Sequence, residues 1–365
     1  IDDRFHLVAA ALSSHPDTAL ASARAIGLSE DRTYTDWAEM ARSEAARPDG
    51  IEAVSITTPN HLHLPVARAF LDEGIHVICD KPLGLTLEEA REFGAFARTA
   101  RARFFLTHNY SAYPLVHQAR DMVADGRLGR LRVINIEYLQ GWLSDDDVSG
   151  KQAEWRADPS FAGIGGAIGD IGTHAYHLAT FVTGLKADRL AADLQSFGVH
   201  RSLDDNAHIN FRFPGGVAGS AWISQVAVGQ ECGLRLRVVG TDGMLEFFQE
   251  DPNRLLYWPK DATLQVFTRG GPGATQDVRV PSGHPEGYLE AFASLYRDVA
   301  DALAGDEAAA GRVPGLEAGI EGMAFIAAAV ASDEADGAWV AMRDSRCTPI
   351  PPAIFLIRSK RLRVG

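Results

Sequence analysis

Hydrophobic positions in the first third of the chain fall into short runs separated by amphipathic stretches. Residues 6–13 (HLVAAALS), 53–57 (AVSIT), 75–79 (IHVIC) and 104–107 (FFLT) are compact apolar runs with the length of buried parallel strands. Between them lie helical patterns at 17–27, 35–47, 63–73 and 86–98, the first ending in Gly27 and the third closed by Gly74. Strands alternating with helices at this spacing predict a doubly wound, Rossmann-like parallel sheet over 1–108.

After His108 the pattern changes. Residues 113–125 read as a helix with Leu115, Ala119 and Met122 on one face, and 132–140 (RVINIEYLQ) alternate as a long strand. A polar loop at 144–160 and a helix at 170–183 follow. From 190 to about 267, alternating runs recur between turn signals, among them Pro214-Gly215-Gly216 and Thr241-Asp242-Gly243. They predict a large, open and mainly antiparallel sheet, closed by helices at 287–304 and 316–332. The expected organisation is a parallel-sheet domain at 1–108, an α+β domain at 109–343 and an irregular tail at 344–365.

Two polar groups interrupt these patterns. Asp80-Lys81-Pro82 follows the apolar run 75–79 at once, which puts Lys81 on the edge of a parallel sheet where ligands gather. A short strand behind it and a proline after it hold the ammonium in place. Lys-Pro after a strand is also an ordinary loop start. The second group is Asp170, His174 and His177, spaced i, i+4 and i+7 and so sharing one helix face. Three chemistries are open to it. Asp170 could complement the helix dipole, with both histidines solvated. The three could ligate zinc, although no fourth ligand is evident and a nearby lysine would repel the ion. Or His174 takes the proton of a substrate hydroxyl, with Asp170 orienting the site and Lys81 stabilising the developing alkoxide.

The 365 residues suffice for about two domains. A net charge of −13 argues against bulk binding to nucleic acid or anionic membrane, and no apolar run is long enough to cross a bilayer. Three cysteines without a CxxC pair make no disulfide framework, so a cytoplasmic setting is expected; Cys79, inside an apolar run, is read as inert packing. One expected feature is missing: no Gly-x-Gly-x-x-Gly turn follows a strand, and Gly163-x-Gly165-Gly166 comes too late. With Ile rather than Met at position 1, the expectation is that an upstream βα unit of roughly 30 residues has been removed.

Thr57-Thr58-Pro59-Asn60-His61-x-His63, then Asp80-Lys81-Pro82, then Asp170-x-x-x-His174 resemble, in this order, the motifs of the Gfo/Idh/MocA family of NAD(P)-dependent sugar and polyol oxidoreductases. The resemblance runs from about Phe5 to Met342, with Asp80 in place of the more usual glutamate. It implies that Lys81, Asp170 and His174 are catalytic. It implies cofactor contacts from Ser13 and Ser14 near the adenosine ribose, from Thr57, Thr58, Pro59, Asn60 and His63, and from Asp80 and Lys81. Trp155-Arg156 corresponds to pairs that approach the nicotinamide end, and simple loop packing would account for it equally well. His108 and Asn109, leaving the last parallel strand, are expected to contact nicotinamide or substrate.

For the substrate pocket the resemblance implies Tyr138 and Gln140 near the end of the long strand. His284, in a segment seen in relatives acting on inositols and anhydrosugars, is either a pocket residue or part of a helix start. His177 stands where many relatives carry an aspartate that touches substrate. The implied activity is hydride transfer between NAD or NADP, NAD being favoured, and a carbinol carbon of a sugar, anhydrosugar or cyclic polyol. The implied assembly is a homodimer or homotetramer, with no nucleic-acid, membrane or metal partner. A non-catalytic ligand sensor on the same fold, and a lyase or hydrolase using NAD transiently, are the rival readings.

Overall fold

A computed structural model describes residues 1–145, 158–199 and 201–342. Trp155 and Arg156, most of the 144–160 loop and the 344–365 tail lie outside the described residues.

The N-terminal part is a three-stranded parallel sheet, β1 (Ala53–Ile56), β2 (His76–Cys79) and β3 (Phe104–Leu106), in that spatial order. Around it pack α1 (Pro16–Ala25), α2 (Trp37–Ala45), α3 (His63–Asp72) and α4 (Leu87–Ala97). Two of these helices start on side-chain caps: Asp36 accepts from the Glu39 amide and Thr86 from the Glu89 amide, filling donors that the first turn leaves open. The run expected as a strand at 6–13 is a correction. Only Ala10 pairs, in a single parallel bridge to Thr33, while Leu7 and Leu12 are exposed. An apolar run becomes a strand only where a partner offers free N–H and C=O groups, and among the described residues this run pairs only through Ala10, with the Arg32 carbonyl and the Tyr34 amide.

α5 (Pro114–Ala124) leads into a nine-stranded mixed sheet. Its strands are β4 (Leu131–Leu139), β5 (Arg189–Gln195), β6 (Asn206–Arg212), β7 (Ala218–Ser224), β8 (Gly233–Gly240), β9 (Gly243–Phe248), β10 (Arg254–Pro259), β11 (Gln265–Thr268) and β12 (Val340–Ala341). The spatial order is β11-β10-β9-β8-β4-β7-β6-β5-β12, and every pair is antiparallel except β4 with β7. The β6–β7 hairpin turns at Pro214–Gly216, where Gly215 and Gly216 hold φ of 71° and 79°, a region side chains disfavour. Alternation sends Ile134, Ile136 and Tyr138 of β4 inward with Leu234, Leu236 and Val238 of β8.

α6 (Thr173–Thr183) and α8 (Leu316–Glu334) pack against the large sheet, while α7 (Tyr288–Leu303) lays Leu295 and Val299 against Ile78 and Phe105 of the parallel sheet. Tyr176 of α6 stacks on Phe325 of α8 with centroids 5.0 Å apart. One continuous core runs from β1 and β2 through α6 to the large sheet, so the strand ends of the first part and the start of α6 share a single rigid frame. No helix among the described residues is long and apolar enough to cross a membrane.

Candidate active site

The C-terminal ends of β1, β2 and β3 converge on the segment that starts α6. After β1, the turn Thr57–Asn60 reaches across: Asn60 Nδ2 donates to the Ala162 carbonyl at 3.0 Å, just ahead of that segment. His63, in the first turn of α3, is buried with one ring nitrogen 2.7 Å from the Pro82 carbonyl oxygen and the other 2.9 Å from that of Thr58. The ring lies between these two carbonyls and, with burial favouring its neutral form, donates to one of them, so His63 braces the β1 turn against the Lys81–Pro82 loop. Asp80, after β2, accepts from the Thr107 hydroxyl after β3.

Lys81 crosses from this edge to the second part of the chain. Its Nζ donates to the Asp170 backbone carbonyl and to Asp170 Oδ1, the latter at 2.7 Å. Gln225, just past β7, donates to Asp170 Oδ2 at 2.8 Å. With Lys81 17% and Asp170 23% exposed, the pair is half-enclosed yet reachable from the cleft. This is an ammonium fixed in direction by two oxygens, able to offer its remaining hydrogen to a substrate oxygen.

Beside it lies a cluster of three buried histidines. His174 Nδ1 is 3.4 Å from His108 Nδ1, and the His108 ring stacks on His177 at 4.3 Å and 8°. The Tyr110 ring closes on His174 edge-to-face at 4.8 Å. Burial is the first cause holding His174 well below the usual imidazole range, followed by the Lys81 charge, with Asp170 opposing. His108 is lowered well below that range by burial and then by His177, His174 and Lys81, and burial takes His177 down to about 3. All three are therefore neutral near pH 7, the state in which an imidazole accepts a proton. The reading with both histidines solvated is overturned, because His174 and His177 lie on the buried side of α6. Among the described residues, no three or more His, Cys, Asp or Glu side chains are grouped to hold a metal ion.

The chain enters α6 differently from the helix expected at 170. A π-helical turn, Ile168–Gly172, precedes the α-helix, so Asp170 is inside the element and free to face Lys81. The N-terminal carboxylate is Asp204 instead, on the β5–β6 connection, accepting from the Gly166 amide at 2.6 Å and the Ile168 amide at 2.8 Å. Gly166 permits this approach, since a Cβ there would lie 2.0 Å from the Asp204 carbonyl oxygen. Burial outweighs the two amides and pushes the Asp204 carboxyl from 3.8 up to about 6. A raised carboxyl stabilises the fold below its unfolded value and loses that contribution as pH rises through the folded value. The difference corresponds to about 3 kcal/mol. Asp204→Asn should therefore remove a decline in stability between about pH 4 and 6 that the parent shows, as read by denaturant unfolding across that range.

Other residues expected at the site are distributed as follows. Tyr138 is buried behind the His174 wall, its hydroxyl 2.6 Å from that of Tyr110 and 3.4 Å from Cys232 Sγ. Gln140 turns aside and accepts from the Trp142 indole at 3.0 Å. His284 is exposed, and its carbonyl accepts from the buried Arg269 guanidinium, which anchors the loop before α7. Ser13 accepts from the His15 amide at 3.1 Å beside the start of α1, and Ser14 is exposed. Sequence reasoning missed Gln225, Tyr110 and Tyr288. Tyr288, at the start of α7, lies 6.2 Å from the Tyr110 ring and within the fields of Asp80 and Asp170. Only the adjacency of Tyr288 to the His284 segment could have hinted at one of them.

Buried atoms without a hydrogen-bond partner at this edge include Thr58 Oγ1 after β1 and Asn109 Nδ2 after β3. Buried polar atoms are seldom left unpaired, and these two flank Lys81 where a polar ligand would supply their partners. They fit the amide- and hydroxyl-bearing nicotinamide riboside end of a dinucleotide. A Gly-x-Gly-x-x-Gly turn for its pyrophosphate is not among the described residues.

Residues 2–108 match the oxidoreductase family with an NAD-binding Rossmann fold, and residues 116–246 match the GFO/IDH/MocA C-terminal domain. The structure is similar to that of an oxidoreductase from Sinorhizobium meliloti, with 47% identity, 93% of each chain covered and a TM-score of 0.85. The chain belongs to the Gfo/Idh/MocA oxidoreductases. Within that family it is similar to an inositol dehydrogenase homologue from Azotobacter vinelandii, solved with NADH and myo-inositol (36% identity, 92% of this chain and 90% of that one, TM-score 0.85). It is also 30% identical over 264 residues, 66% of this chain and 65% of the other, to levoglucosan dehydrogenase of Pseudarthrobacter phenanthrenivorans. The small parallel sheet and large mixed sheet are the Gfo/Idh/MocA fold, and NAD binding is the family's property.

Proposed function

We propose that this chain is an NAD(H)-dependent dehydrogenase that oxidises one secondary hydroxyl of a cyclic polyol or anhydrosugar, or reduces the corresponding ketone. The observation that carries the reading is the Lys81 ammonium held on Asp170 at 2.7 Å, beside the neutral, buried His174. The myo-inositol and levoglucosan relatives support the substrate class.

When bound, nicotinamide supplies a hydride acceptor at C4. Thr58, Asp80 and Asn109 would hold its end of the dinucleotide. Lys81 directs an N–H at the substrate oxygen, stabilising negative charge as the O–H proton leaves. His174 receives that proton, and Asp170 keeps the ammonium aimed while Gln225 fixes the second carboxylate oxygen. Burial of the histidine cluster strengthens these fields by excluding water. The same reading pairs the outer face of the large sheet, where Val133, Trp222 and Val266 are exposed, with a second copy of the chain.

The test is NADH formation with NAD, and separately NADPH formation with NADP, against myo-inositol, levoglucosan and open-chain polyols. Cofactor reduction with one ring substrate is the expected outcome. NADH binding without turnover of any of them would favour a sensor, and substrate loss without net NADH a lyase or hydrolase.

A further inference from the structure

We propose that His108 is a positioning residue that sets the tautomer of His174, accepting the His174 Nδ1–H so that Nε2 keeps the lone pair the reaction needs. The inference deepens the dehydrogenase reading and rests on it for its kinetic consequences, though not for its structural one.

A neutral imidazole has one N–H and one lone pair. The two rings meet Nδ1 to Nδ1 at 3.4 Å, so one nitrogen donates and the other accepts. Only two arrangements exist while both rings are neutral. In one, His174 donates from Nδ1 and its Nε2 is a base. In the other, His108 donates, His174 carries its proton on Nε2, and it cannot accept one from a hydroxyl.

The His108 ring is not free to leave this contact. It is 2% exposed, stacked on His177 at 4.3 Å and set edge-to-face against His174 at 5.2 Å. Its backbone is pinned as well: the amide donates to the Leu106 carbonyl at 3.0 Å, and the carbonyl accepts from the Ser111 hydroxyl at 2.8 Å. Among the described residues, the hydrogen-bonding contact of His174 Nδ1 is His108. The group that orients the base is thus a neutral acceptor, as a carboxylate does in hydrolase triads but without adding charge. This matters beside Lys81, whose charge already faces both rings.

The step balances within the site. The substrate O–H bond breaks as its proton forms the His174 Nε2–H bond, and hydride leaves the carbinol carbon for oxidised nicotinamide. His174 becomes an imidazolium whose Nδ1–H bond to His108 is then charge-assisted and stronger. His108 is therefore worth more in the transition state than in the resting site, the condition for an effect on kcat. The titratable groups facing His174 are Lys81 from the β2 edge, Asp170 and His177 from its own element, and His108 and Tyr110 from the segment after β3.

The experiment is ¹⁵N NMR of the full chain labelled at histidine, with the His174 ring signals assigned by difference against His174→Asn. The parent should show His174 protonated at Nδ1 near neutral pH. His108→Leu, which keeps an apolar ring-sized filler but no acceptor, should populate the Nε2–H form. It should also lower kcat by about 10- to 100-fold with KM within about twofold, less than the loss from a fully wrong tautomer. His108→Asn, whose amide oxygen stands near the Nδ1 position, should restore the Nδ1–H form and recover most of the lost turnover. A parent His174 protonated at Nε2 would overturn the assignment without any variant. So would an unchanged tautomer in His108→Leu. Absence of turnover by the parent on every polyol would count against the dehydrogenase reading and leave the NMR result to stand by itself.

Discussion

Lys81→Ala is expected to lower kcat/KM for polyol oxidation by about a thousandfold while the protein stays folded. The size follows from what the ammonium does. It is placed by two oxygens of Asp170 at the cleft, and removing a preorganised donor from a developing oxyanion costs about 10²- to 10³-fold. A second loss comes from Asp170, which without Lys81 presents an uncompensated carboxylate to an alkoxide-like transition state. Stability should change little. Asp170 keeps its bond from Gln225, and at 23% exposure water can replace the ammonium, so the ion pair contributes on the surface scale of at most about 1 kcal/mol. Steady-state kinetics with a thermal melt on the same sample check both halves. Near-parental turnover in a folded Lys81→Ala would remove Lys81 from the chemistry.

His174→Ala should lower kcat for oxidation by about 10²- to 10⁴-fold and flatten the acid side of its pH profile. The sign follows from the environment. Burial and the Lys81 charge hold the imidazole well below its ordinary 6.5, and only the neutral form accepts a proton. Oxidation by the parent should therefore persist through neutral pH and fall only as acid protonates His174. A variant without the imidazole has no such limb, and its residual rate should be set by Lys81 and by solvent base. Lys81, Asp170, His177, His108 and Tyr110 all face this position, so the comparison is made on kcat with substrate saturating, where their binding effects are smallest. An unchanged acid limb in His174→Ala would assign the titration to another group.

The parts of the fold visible in the sequence are those governed by local periodicity. β1, β2, β3 and α3 to α5 fall within a residue or two of their hydrophobic patterns, because a buried strand or an amphipathic helix repeats its apolar residues at the period of its own geometry. β4 to β11 of the large sheet were legible for the same reason, whereas the two-residue β12 is too short to show a period. The 6–13 run shows the limit. Its composition suits a strand, but strand formation needs a partner, and partners are not a local property. The parallel β4–β7 pair at the centre of the sheet is likewise invisible in alternation, which does not distinguish neighbours.

The sequence by itself determined which residues could carry chemistry: a lysine at the end of a buried strand, and a carboxylate and two histidines spaced for one helix face. Charge, spacing and strand-end position are properties of the chain. Tertiary structure alone decided that Lys81 and Asp170, 89 positions apart, meet at 2.7 Å, and that Gln225 completes the carboxylate. It alone put His108, His174 and His177 in one buried cluster, and gave the start of α6 to Asp204 rather than Asp170. The physical reason is common to all of these. A pattern along the chain specifies the shape and polarity of each element, whereas protonation state and donor direction depend on which other elements exclude water from it, and that is settled only when the core closes.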